Sequence, residues 1–249
     1  MKKKRLDQLL VDRELAVDLR EATALLMKGV VLVNDQKLEK PGTRVAEDAV
    51  LRILGTDQRY VSRGGLKLEA AIVQFKLELD GLVCADLGAS TGGFTDCLLQ
   101  HGARRVYAFD VGKGLLHWRL QTDERVIIQD RFNVRNLRAE DIPEPVDLVT
   151  ADLSFISLRQ ILPTLTQFPS ARFLVLVKPQ FEAERWEVEP GGLVTDPDKR
   201  AEILKRVITS AEVNGFEVLA QMESPVSGQK GNIECLLYLR LKDEGFTGT

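Results

Sequence analysis

The first chemical signal lies in "CADLGASTGGFTD", residues 84–96. It reads as an apolar strand, a glycine-rich loop and the start of a helix, an arrangement that turns main-chain amides toward a nucleotide. The glycines do not have the spacing of a phosphate site. A dinucleotide loop needs G-x-G-x-x-G and a P-loop needs G-K-[ST], whereas this loop reads G-A-S-T-G-G. Asp86, at the strand's carboxyl end, would repel a pyrophosphate approaching a helix N-terminus. The same carboxylate suits an ammonium group. S-adenosyl-L-methionine carries an ammonium and a sulfonium and no phosphate. Gly88, Gly92 and Gly93 would let the main chain lie against its methionine and ribose parts.

Two more acids end the following strands. Asp110 stands 24 residues after Asp86, where an acid binds ribose hydroxyls. Asp130 ends the third strand, near the place expected for an adenine amino group. Any one such aspartate is equally explained as a turn or a helix cap; three in succession favour S-adenosyl-L-methionine over NAD. The expected donor-binding residues are Asp86, Gly88, Ser90, Thr91, Gly92, Gly93, Phe94, Asp110, Val111, Asp130 and Asp152. Cys84, Cys97 and Cys235 lack CxxC spacing, and Cys84 and Cys235 lie in apolar runs. Buried free thiols in a reducing cytoplasm are therefore expected, with no disulfide and no metal.

The fourth strand speaks to the acceptor. Methylation of exocyclic base amines calls for an Asn/Asp-Pro-Pro-aromatic turn, and this chain has "ADLSF". Ring-carbon methylation needs a cysteine nucleophile, and none is suitably placed. A hydroxyl acceptor remains. A ribose hydroxyl is a poor nucleophile at neutral pH, so a base or strong positioning is required.

Residues 60–240 resemble the FtsJ-type ribose 2′-O-methyltransferases, which use a Lys-Asp-Lys-Glu tetrad. The matching positions are Lys67 in "SRGGLKLEAA", Asp152 in "TADLSF", Lys178 in "LVKPQFE" and Glu234 in "GNIECLL". Residues 4–240 as a whole resemble the TlyA/hemolysin A family, through "DLGASTGGFTD", "FDVGKG", "VSRGGLKL", "GGLVTD" and "KGNIE". That family joins a ribosomal-protein-like RNA-binding module to such a methyltransferase. The resemblance implies methylation of cytidine riboses in ribosomal RNA, with ribosomal RNA or ribosomal subunits as partner. On this reading Lys178 takes or steers the hydroxyl proton, Asp152 and Lys67 orient it, and Glu234 completes the network. Lys178 and Asp152 should end adjacent parallel strands. A second cation from Lys67 would favour the neutral, basic form of a neighbouring amine. The alternative for each lysine is a solvated surface charge.

The elements that must position these groups follow from periodicity. "RLDQLLVDREL" and "DLREATALLMKG" read as helices, the second with Asp18 as N-cap, a capping-box Glu21 and a terminal Gly29. A hairpin turning at Asn34-Asp35 and a strand in "AVLRIL" complete a small α+β domain over residues 1–58. The polar "GTDQRYVSRGG" suggests a linker at 59–64. Residues 65–242 then alternate helix and strand, an α/β pattern that implies a doubly wound sheet, which the FtsJ-type resemblance makes a Rossmann-like class I methyltransferase. Its parallel strands are followed by an antiparallel edge hairpin made from "FEVLAQM" and "IECLLYLRL". Residues 243–249 read as a tail.

By the same resemblance Arg5, Arg20 and Lys28 face RNA. The first 60 residues carry 12 Lys+Arg against 10 Asp+Glu, in a chain of formal net charge −3, so any polyanion would meet this end first. "PQFEAERWEVEPGGLVTDP" is long for a structureless loop and suggests a lid, with Trp186 expected against the body rather than as a stacking platform. Lys230 in "ESPVSGQKGN" is a candidate phosphate contact. Two rival readings are a haemolysin-like membrane-active protein and a non-catalytic RNA-binding ribosome-assembly factor. The first lacks a strong amphipathic or membrane-spanning stretch, and the basic start "MKKKRLDQLL" lacks a signal-peptide core. The second is disfavoured by the intact tetrad. A dehydrogenase is more distant, because His101 and His117 both lie away from strand carboxyl ends.

Overall fold

The computed structural model describes residues 3–13, 15–16, 18–54, 59–228 and 231–242. The tail at 243–249, Lys230 and part of the interdomain stretch fall outside the described residues. The chain divides into two compact units, Met1–Gln58 and Arg59–Thr249.

The first unit comprises β1 (Lys3–Arg5), α1 (Leu6–Asp12), α2 (Leu19–Met27), β2 (Val31–Val33), β3 (Gln36–Lys37), β4 (Arg44–Ala46) and β5 (Leu51–Ile53). Leu6, Leu9 and Leu10 of α1 close a core with Ala22 and Leu26 of α2 and with Val31 and Val33. Asp18 caps α2 by accepting from the Glu21 N–H at 2.7 Å. The β2–β3 turn places Asn34 and Asp35 at φ of 48° and 62°, the left-handed pair that a two-residue hairpin requires. β1 and β4 pair antiparallel, a ribbon too short for periodicity to announce.

The second unit contains α3 (Gly64–Phe75), β6 (Val83–Leu87), α4 (Gly93–Gln100), β7 (Arg105–Asp110), α5 (Trp118–Gln121) and β8 (Val126–Asp130). Then come β9 (Leu148–Ala151), α6 (Leu162–Leu165), β10 (Arg172–Val177), α7 (Pro179–Glu182), α8 (Pro197–Val213), β11 (Phe216–Glu223) and β12 (Cys235–Leu241). The sheet order is β11-β12-β10-β9-β6-β7-β8, with β12 antiparallel to both its neighbours. Strand order reverses between β6 and β9, so a crevice opens at their carboxyl ends. Side chains alternate across the sheet. Phe173, Val175 and Val177 enter one core layer, while Leu174 and Leu176 enter the other with α3 and α4. Burial on both faces explains the unbroken apolar run of β10.

The helical run "ISLRQILPTL" is divided: a 3-10 turn at Leu158–Gln160 gives way to the single turn of α6, because Pro163 lacks an N–H and fits only a first helical turn. The expected linker at 59–64 starts with residues bonded to the second unit. Tyr60 is buried, the Val61 N–H donates to Asp96 at 2.8 Å, and Gln100 donates to the Arg59 carbonyl at 2.7 Å. These bonds tie the segment to α4.

Phe109, fully buried and packed edge-on against Phe132 at 5.0 Å, holds the end of β7. Phe109→Ala should lower stability by ~3–5 kcal/mol, read as a shift of the denaturant midpoint.

Candidate active site

A cavity of about 850 Å³ lies at the carboxyl ends of β6, β9 and β10. Its wall on the β6 side is the glycine loop, with Gly88, Ser90, Thr91, Gly93 and Phe94 lining it, followed by Asp110 and Val111 after β7. Two glycines are required by close approach. Gly88 has φ +84°, and a Cβ there would meet the Asp152 carbonyl oxygen at 2.7 Å, so the loop rests on the chain just after β9. A Cβ on Gly93 would meet Ser62 Oγ at 2.1 Å and the Gly65 nitrogen at 2.9 Å. Without it, α4 abuts the start of α3, and this brings Lys67 to the cavity.

Lys67, Asp152, Lys178 and Glu234 all line this cavity. They meet as two ion pairs, and each lysine is matched by a carboxylate. Lys67 pairs with Glu234; both are buried. Lys178 Nζ stands 2.5 Å from Asp152 Oδ1 and donates to Ser154 Oγ at 3.1 Å. The Asp152 contact is one of charge rather than a directed hydrogen bond, since Oδ1 has no partner of hydrogen-bond geometry. Register explains how Glu234 arrives. β12 runs antiparallel and begins with Cys235 opposite Val177, so the residue before it is level with Lys178. Gly228 packs on the same carboxylate; a Cβ there would meet Glu234 Oε1 at 2.5 Å.

Three expected donor contacts lie elsewhere. Asp86 is fully buried beneath the loop and does not line the cavity. Its carboxylate accepts from Thr95 Oγ1 at 2.6 Å and from Thr150 Oγ1 at 3.0 Å. Burial raises its pKa to about 6, against the two threonine hydrogen bonds, which lower it. Asp130 is exposed and accepts from the Gly114 N–H at 2.8 Å, bracing the turn after β7. Gly92 is turned away, its missing side chain making room for Leu116 and Leu120. Asp110 does line the cavity, with Oδ2 accepting from the Ser90 N–H at 2.8 Å and Oδ1 from the Gly112 N–H at 2.7 Å.

Sequence reasoning missed several lining residues. Asn133, Val134 and Arg135 border the cavity beyond Asp130, where a rule about strand ends stops too soon. Phe155, Gln180 and Phe181 line the side nearest the tetrad. Phe155 is 91% exposed, has φ +65° and lies 5.2 Å from the Phe181 ring. Such a backbone is unusual for a bulky residue, and its signal was the aromatic beside Asp152 in "ADLSF". Trp186 is 81% exposed rather than packed on the body. Cys84 and Cys97 are buried free thiols, and Cys235 is half-buried. In the first unit Arg20 and Lys28 are exposed, whereas Arg5 is committed to a two-pronged pair with Asp7 at 3.0 and 2.6 Å.

A family model described as FtsJ-like methyltransferase matches residues 60–241, and an S4 domain model matches residues 4–51. The chain belongs to the FtsJ-like methyltransferase family. YqxC of Bacillus subtilis, named for rRNA methylation, is 45% identical over 99% of this chain and 89% of its own length. The 16S/23S rRNA (cytidine-2′-O)-methyltransferase TlyA of Mycobacterium tuberculosis is 42% identical over 96% of this chain and 91% of its own. A solved, hemolysin-named structure from Streptococcus thermophilus superposes with a TM-score of 0.78 at 39% identity, covering 98% of this chain and 90% of that one. The methyltransferase unit thus has the Rossmann-like α/β fold, and it follows an S4 domain. Among the described residues no helix is long and apolar enough to cross a membrane.

Asp86 offers a pH test. A carboxyl raised from 3.8 to about 6 on folding adds stability below pH 4 that is lost as pH rises through 6. In denaturation of wild type and Asp86→Asn from pH 4 to 7, the wild type should lose stability relative to the variant by on the order of 2–3 kcal/mol.

Proposed function

We propose that this chain is an S-adenosylmethionine-dependent 2′-O-methyltransferase acting on cytidine ribose of ribosomal RNA, working in the cytoplasm where that RNA resides. The observation that carries the reading is the meeting of Lys67, Asp152, Lys178 and Glu234 in one cavity with the glycine loop. The residues of the loop side suit the donor. Gly88 and Gly93 line the cavity, Asp110 adds a half-buried carboxylate, and residues 88–93 carry no cation that would call for a phosphate.

S-adenosylmethionine supplies an electrophilic methyl group on sulfonium. The protein's task is to bring a hydroxyl oxygen in line with it and to deal with the proton. Lys178, held as an ammonium beside Asp152, orients the ribose 2′-hydroxyl. It steers the proton toward the neighbouring carboxylate or water as the oxygen gains the methyl and the donor leaves as S-adenosylhomocysteine. Asp152 holds the Lys178 amine in place, and Glu234, level with Lys178 just before the adjacent β12, holds Lys67. Positioning of this kind can be worth ~7–11 kcal/mol of barrier. Phe155 and Phe181 offer aromatic faces at the tetrad side, suited to an unstacked base. The S4 domain supplies the RNA grip, with Arg20 and Lys28 free to reach phosphates and Arg5 shared with Asp7.

Incubation with labelled S-adenosylmethionine and separated ribosomal subunits, followed by nucleoside analysis, should yield 2′-O-methylcytidine. Label on a base, or none on either subunit, would refute the reaction. Lys178→Ala should abolish transfer while calorimetry shows donor affinity within about twofold of wild type, since positioning and proton handling act on turnover rather than on donor binding. Arg20→Glu with Lys28→Glu should raise KM for particles, with a shallower salt dependence, and leave donor affinity alone.

A further inference from the structure

The segment after β9 begins with Asp152 and the segment after β10 begins with Lys178. One buried carboxylate joins them. Glu182, 2% exposed, ends α7. Its Oε1 accepts from the Leu158 N–H at 2.6 Å, and its Oε2 accepts from the Ser157 hydroxyl at 2.5 Å. Arg159 closes the cluster. Its Nη2 donates to the Glu182 carbonyl at 3.0 Å, and its Nε donates to Ser157 Oγ at 3.3 Å and lies 3.5 Å from Glu182 Oε2.

Neither Ser157 nor Glu182 lines the cavity, so this carboxylate does not touch the reacting groups. Burial raises its pKa, and the donors from Ser157, Leu158 and Arg159 oppose that. A carboxylate is left in such surroundings only where its lone pairs are served. Here they are served entirely by the neighbouring segment. Between the cluster and the Asp152–Lys178 pair, the Phe155–Phe181 ring contact and the hydrogen bond from Lys178 Nζ to Ser154 Oγ also join the two segments.

We infer that Glu182 is a positioning residue: it clamps the 153–158 loop to α7 and thereby sets the placement of Asp152 against Lys178. The inference rests on the methyl-transfer reading of the cavity. Its specific content is that turnover depends on a bond network outside the cavity, whereas donor binding on the β6 side does not.

The test uses the full chain with S-adenosylmethionine and ribosomal subunits, comparing wild type, Glu182→Gln, Ser157→Ala, the double variant and Lys178→Ala. Glutamine puts an NH2 donor where one carboxylate oxygen stands, so it cannot accept at both the Ser157 and the Leu158 positions. Glu182→Gln should lose about 10–100-fold in kcat, as a shift on the order of 1 Å does in a reacting geometry, with donor Kd within about twofold. Ser157→Ala should lose less, and the double variant no more than Glu182→Gln, because both act through one bond. A folded Glu182→Gln with wild-type kcat, or a loss that tracks donor Kd or adds fully to that of Ser157→Ala, would overturn the clamp. If Glu182→Gln does not fold, Ser157→Ala decides: lowered kcat with unchanged donor Kd supports the clamp, and wild-type kcat removes it. Wild-type turnover by Lys178→Ala would instead remove the underlying site assignment, and this inference with it.

Discussion

An ammonium group that is nine-tenths buried must have an opposite charge beside it, because leaving water alone would cost several kcal/mol. This chain meets that demand twice in one crevice. Lys178 is served by Asp152 from the adjacent parallel strand. Lys67 is served by Glu234, 167 residues away in sequence. The second pair constrains the topology. Glu234 reaches the crevice because β12 enters antiparallel beside β10 and starts level with the point where β10 ends. A strand added at the far edge, or in parallel, would bring its first residue elsewhere. The antiparallel hairpin is therefore part of the site's construction as well as the closing edge of the sheet.

The same crevice is shaped by contacts that carry no charge. Gly88 rests on the Asp152 carbonyl, so the glycine loop and the chain carrying Asp152 are one packed surface. Gly93 does the corresponding work between α4 and α3, which carries Lys67. Removing a side chain at each place lets two backbones meet. Asp86 belongs to this supporting layer. Its burial beneath the loop, with threonines from α4 and β9 as donors, makes it a fastener between helix and sheet. Position at a strand end does not specify the direction of a side chain, and that of Asp86 is buried rather than lining the cavity. Residues along a strand alternate between faces, and the last ones point into a core layer as readily as into the crevice.

Much of the architecture was legible in the chain. Alternating helix and strand patterns from residue 64 onward, with β10 apolar throughout, specify a sheet buried on both faces. Asp18, Glu21 and Asn34-Asp35 marked a cap and a turn through local bonds that need no distant partner. The order of charged residues around the fourth and fifth strands placed Asp152 and Lys178 side by side. Local chemistry of this kind survives in sequence because its partners are only a few residues apart or follow from strand adjacency.

What only the tertiary structure decided concerns pairs far apart in the chain and directions of side chains. That Lys67 faces Glu234 rather than acting as a lone cation beside Lys178 depends on the insertion of β12. That Glu182 binds Ser157 and Leu158 depends on two loops leaving neighbouring strands together. Residue types alone raised the expectation of a phosphate-free nucleotide and a hydroxyl acceptor, since charge and nucleophilicity are properties of the side chains themselves, but they did not say which acid faces the crevice. The partner each buried charge finds is a property of packing, where desolvation makes an unpaired group too costly and the fold selects which opposite charge lies within reach.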